Sequence, residues 1–69
     1  MKLSERLKDL RKEKKLRQEQ VAVALDISMS AYCHYEQGKR EPTVSVLERM
    51  ADYYDVTTDY LLGRSDTRK

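Results

Sequence analysis

Glycine stands only at positions 38 and 63, and proline only at 42, in a chain of 69 residues. Punctuation this sparse favours helices joined by short turns. The apolar residues repeat accordingly. Leu3, Leu7 and Leu10 fall at i, i+4 and i+7, which predicts a first helix over about 3–14 with one buried stripe. Val21, Ala22 and Leu25 mark the inner face of a second, from Gln18 to Leu25. Ser28 is a good N-cap for a third helix running to Gln37, and Gly38 is its natural stop. Thr43 heads a fourth, where Val44, Leu47, Met50, Ala51 and Tyr54 recur at helical spacing. A short fifth, from about Thr58 to Leu62, is capped by Thr57 and stopped by Gly63. The expected fold class is all-α, a compact five-helix bundle. Residues 1–63 form the domain, and 64–69 a polar, frayed tail.

Composition removes several functions. No apolar run approaches the ~20 residues of a membrane span, and no apolar leader segment opens the chain, so a cytoplasmic location is expected. Without Trp or Phe the core must be small. Cys33 has no second cysteine to pair with, and with His34 it is too little for a metal site, so neither metal nor cofactor is expected. A single histidine and no nucleophile–base constellation argue against an enzyme. Net charge is only +2, but it is polarised. Residues 1–17 carry eight Lys/Arg and three Asp/Glu, net +5, while residues 41–62 carry Arg49 against five acids, net −4. Such a split suits a polyanion on one face and a different partner on another.

The second and third helices, joined by Asp26-Ile27-Ser28, read as a helix-turn-helix. Ala22 allows close approach of the two helices, Ile27 fills the space beneath the turn, and Asp26 tolerates the left-handed conformation a stop requires. Ala31, Tyr32 and Tyr35 share one side of the third helix. Ser30, Cys33, His34 and Gln37 share the other, which carries no formal charge in a chain that is 38% charged. A helix entering the major groove must keep carboxylates from phosphates and present groups that reach base edges.

Leu10-Arg11, Gln18-Glu19-Gln20-Val21-Ala22, Ile27-Ser28, the run Tyr35-Glu36-Gln37-Gly38-Lys39-Arg40-Glu41-Pro42, Leu47, Ala51-Asp52, Val56 and Asp59-Tyr60-Leu61-Leu62-Gly63 together resemble the Cro/cI-type helix-turn-helix family of bacterial and phage regulators. The resemblance implies a lambda-repressor-like bundle that reads double-stranded DNA as a dimer on a pseudo-palindromic operator. It implies base contacts from Met29, Ser30 and His34, with Cys33 among them, and phosphate contacts from Gln18, Gln37, Lys39 and Arg40. Arg17 and Ser28 are added to the phosphate set from their places beside the second and third helices. Arg11 and Glu36 match a partly buried ion pair. Arg17 replaces the usual Thr before Gln18, and Asp26 a common Gly, so the second helix is expected to lack its side-chain cap. Cys33 reads as an inert small residue or a redox-sensitive one, and Arg6, Lys14 and Lys15 as a basic face that steers DNA.

The dimer is expected in the C-terminal half, through Tyr53, Val56, Thr58 and Tyr60. Exposed tyrosines suit interfaces, though isolated surface tyrosines are the alternative. The expected function is transcription regulation, most naturally repression. A protein-interaction module such as an antitoxin or antirepressor-binding partner is the competing reading, and the identity of any protein antagonist is left open.

Overall fold

A computed structural model describes residues 2–68, and Met1 and Lys69 lie outside it. Among the described residues five helices stand in order: α1 Lys2–Glu13, α2 Gln18–Ala24, α3 Met29–Gln37, α4 Val44–Tyr54 and α5 Thr58–Leu61. Helix α1 begins one residue before its leucine stripe and also stops one residue early. Helices α2 and α5 each stop a residue early because Leu25 and Leu62 serve as C-caps.

These five helices end the same way. An N–H just past each helix returns to the carbonyl five positions back: Leu16 to Arg11, Ile27 to Ala22, Lys39 to His34, Val56 to Ala51 and Arg64 to Asp59. That bond needs a left-handed residue just before it. Gly38 and Gly63 supply two, and Lys15, Asp26 and Asp55 adopt φ of 57°, 58° and 57° without being glycine. Three helix starts carry side-chain caps: Ser28 accepts from the Ala31 N–H, Thr43 from Val46 and Thr57 from Tyr60. Helix α2 has none from Arg17, but the Gln20 side chain reaches back to accept the Arg17 N–H at 2.8 Å, half of a capping box.

The leucine stripe of α1 is buried against α3 and α5, and α3 also packs on α2. Tyr32, Met50, Leu61 and Val21 are wholly enclosed, and the Tyr32 and Tyr54 hydroxyls meet at 3.2 Å inside the core. Arg49 on α4 donates to the Leu25 carbonyl at 2.7 Å, which satisfies an orphan acceptor at the end of α2 and ties α4 to the helix-turn-helix.

The tail departs from its expected frayed state through residue 68. Arg6 donates to the carbonyls of Tyr60 and Ser65 and pairs with Asp66. The Thr57 N–H donates to the Arg68 carbonyl, and the Arg68 guanidinium grips both carboxylate oxygens of Glu13. Basic side chains at both ends of the chain find acceptors across the gap between α1 and the tail, so this polar segment is held by charge-assisted hydrogen bonds rather than by burial.

Candidate nucleic-acid interface

Helix α3 is amphipathic in an unusual sense. Its inner side holds Tyr32, Tyr35 and a carboxylate, Glu36, that is 2% exposed. Its outer side holds Met29, Ser30 and Gln37, all exposed, with Cys33 and His34 half-buried beside them. Among the described residues that outer side carries no acid. The Ser28 hydroxyl caps the helix, and Lys39 and Arg40 stand exposed just past its end.

Glu36 stays anionic inside the fold because its acceptor sites are filled. Arg11 approaches from α1 through Nε at 2.6 Å and Nη2 at 3.2 Å, and its Nη1 also donates to the Leu16 carbonyl. Burial alone pushes the Glu36 carboxyl up, but hydrogen bonds from Arg11, Tyr32 and Gln18 outweigh it and hold the group below the ordinary carboxylate range. The hydrogen bond to Glu36 raises the Arg11 guanidinium in turn.

Gln18 and Cys33 are joined. The Gln18 Nε2 donates to Glu36 at 3.2 Å, and the Cys33 thiol donates to the Gln18 Oε1 at 3.3 Å. Gln18 therefore lies half-buried along the rim of a concave seat lined by Arg11, Leu16, Arg17, Gln18, Glu19 and Met29. Arg17 pairs with Glu19 at 3.1 Å in full view of solvent, a contact of little energetic weight that a phosphate can displace. His34 buries its Nδ1 with no hydrogen-bond partner.

A helix-turn-helix domain model matches residues 2–62. The chain belongs to the Cro/cI-type helix-turn-helix family of DNA-binding regulators. It is 44% identical over 66 residues to the uncharacterized HTH-type transcriptional regulator YqaE of Bacillus subtilis, covering 96% of this chain and 57% of that protein. It is 40% identical to the HTH-type transcriptional regulator AnsR of Bacillus subtilis, over 94% of this chain and 56% of the relative. The cryptic phage CTXphi transcriptional repressor RstR of Vibrio cholerae is 34% identical, over 93% and 58%. The chain thus spans just over half the length of these relatives.

Within this Cro/cI-type domain several side chains sit elsewhere than their sequence suggests. Arg6 does not belong to a free steering face. Its guanidinium is engaged by the tail and lies 4.0 Å over the Tyr60 ring. Lys14 and Lys15 are exposed at the end of α1. Val56 is 9% exposed and belongs to the core of its own chain, which leaves little of it for a partner. Tyr60 is stacked by Arg6 and approached by Arg68, whereas Tyr53 is exposed beside Tyr54 and Thr58 is half-buried. Leu62 and Val44 are exposed apolar residues that sequence spacing does not single out. Nor does spacing mark Arg49 as a structural residue; its one signal is that it is the sole cation in residues 41–62.

Among the described residues no helix is long and apolar enough to cross a membrane, and no group of three or more His, Cys, Asp or Glu side chains could hold a metal ion.

Proposed function

We propose that this chain regulates transcription by binding double-stranded DNA as a symmetric pair, with α3 in the major groove, and that it represses by occluding a promoter. The observation that carries the reading is the acid-free outer side of α3, flanked by the exposed cations Arg17, Lys39 and Arg40, in a chain of the Cro/cI-type family. The similarity to a named phage repressor supports repression. Met29 offers apolar contact to a thymine methyl, and Ser30 a hydroxyl that suits several bases. A buried N–H without an acceptor is rarer than an unfilled acceptor, which favours the His34 tautomer with its hydrogen on Nε2, a donor to a purine N7 or O6. Gln18, Ser28, Gln37, Lys39 and Arg40 then serve the phosphates. No Arg or Lys lies on the outer side of α3 itself, so base discrimination is modest for each half-site and rests partly on DNA shape.

Fluorescence anisotropy on a random-sequence duplex across a salt series tests this. Affinity should fall linearly with salt on logarithmic axes, and Arg40→Ala should weaken binding and flatten that slope by about one unit for each phosphate left without its cation. A protein that fails to bind duplex at low salt is not a DNA regulator, and the protein-interaction reading would take its place.

A further inference from the structure

The hydrogen bond between Cys33 and Gln18 crosses the helix-turn-helix, and its importance rests on this face binding DNA as proposed. A carboxamide has two ends of opposite character. Glu36 is anionic and can only accept, so the end that meets it at 3.2 Å must be Nε2. The other end is therefore Oε1, and the group meeting it at 3.3 Å is a thiol, a weak donor. The reverse orientation would set an amide oxygen against a carboxylate already held by Arg11. Gln18 is thus gripped at both ends by α3, and one Nε2–H remains uncommitted on a side chain lining the seat shared with Arg17 and Met29. A phosphate oxygen requires a donor at that place. Glu36 settles which end is nitrogen but holds the carboxamide at one point only, and a group free to pivot about that point would have to be ordered on binding, which lowers affinity.

We propose that Cys33 is a positioning residue and not a reader of bases: with Glu36 holding the nitrogen end, its thiol holds the oxygen end of the Gln18 carboxamide so that the free N–H faces a backbone phosphate. The role is independent of sequence because phosphates are.

The whole chain, its single variants and the Gln18→Ala/Cys33→Ala double variant are titrated with random-sequence duplex, and base preferences are read by selection from a random pool. Cys33→Ala should weaken random-duplex binding about 2–5-fold, the loss of one weak hydrogen bond. Cys33→Ser, which keeps a donor, should stay within about twofold of the wild type. In the Gln18→Ala background Cys33→Ala should add nothing, because the two residues act as one unit. Thermal melts of each variant separate this pattern from loss of folded protein. A changed preference at one base pair would make Cys33 a base reader and overturn the proposal. So would a Cys33→Ala effect that persists undiminished without Gln18, or wild-type binding by Cys33→Ala where Gln18→Ala is weakened. If Gln18→Ala also binds as the wild type, the phosphate role of Gln18 fails and the proposal falls with it, while salt-dependent duplex binding by the wild type would leave the DNA-binding function standing.

Discussion

Glu36 is the residue on which the interface side of the molecule turns. An isolated buried carboxylate would take up a proton rather than remain charged. Here Arg11, Gln18 and Tyr32, from α1, α2 and α3, all donate to it, so the anion is the preferred form. Replacing it with Gln keeps the shape but leaves the Arg11 guanidinium, itself largely covered, facing a neutral amide. Removing one partner of such a pair costs more than the pair contributes. Glu36→Gln should lower unfolding free energy by about 2–4 kcal/mol in urea titrations. The pH dependence is set by the direction of the shift. Because the folded group is held below its unfolded value, its contribution is fully present above about pH 5 and is lost as pH falls through the folded value. Wild-type stability should decline in that acid window, and Glu36→Gln should show a shallower decline by circular dichroism. An equal acid slope in both proteins would mean that Glu36 is not the group responsible. Arg11 and Glu36 were legible as a pair in the family pattern, but Gln18 as a third member of the cluster was not, since only packing brings a helix start against the end of another helix.

The helix ends carry a common geometry and unequal residues. Each requires a left-handed residue, and Lys15 fills that place at a steric cost that glycine avoids. Lys15→Gly should raise stability by about 0.5–1 kcal/mol, with a smaller gain for Asp26→Gly because Asp tolerates this conformation better. Differential scanning calorimetry should show both variants melting above the wild type; a lower melting temperature for Lys15→Gly would mean that its side chain makes contacts that outweigh the strain. Gly63 behaves oppositely. Its φ is 77°, and an added Cβ would fall 2.5 Å from the Lys2 Cβ, so Gly63→Ala should destabilise by about 1–2 kcal/mol. The same melts measure it. Helix existence and capping were readable from Ser28, Thr43, Thr57 and the two glycines. Asp26 was readable too, from aspartate's tolerance of the left-handed conformation, whereas Lys15 carries no such signal and Asp55 was not singled out by the spacing of the fourth helix.

At the scale of the whole molecule, the proposed pairing is a matter of geometry and charge. One α3 fills one major-groove face, and a two-fold partner would set a second about 34 Å away, which raises effective concentration there. Residues 1–17 are net +5, so pairing there would set like charges together. The C-terminal half offers Tyr53 at 37% and Leu62 at 41% exposure, with its acids suited to a rim. Tyr60 is the weaker probe, since its substitution would also release Arg6 and Arg68. Tyr53→Asp and Leu62→Asp should each give monomers by light scattering and weaken binding to a two-half-site duplex at least about tenfold more than to a single half-site. Wild-type protein that stays monomeric at high micromolar concentration, with Tyr53→Asp binding normally, would place the contact elsewhere.

The order of helices, the helix-turn-helix and the neutral outer side of α3 were determined by the sequence alone. They depend on local signals: a period of 3.6, capping side chains and two glycines at stops. What each polar side chain does was decided only by tertiary structure. Arg6 became a clasp for the tail, Arg49 a donor to the end of α2, and Cys33 a donor to Gln18. A long polar side chain can meet partners from any element within its reach, and its choice depends on which unfilled acceptors the packed core leaves beside it.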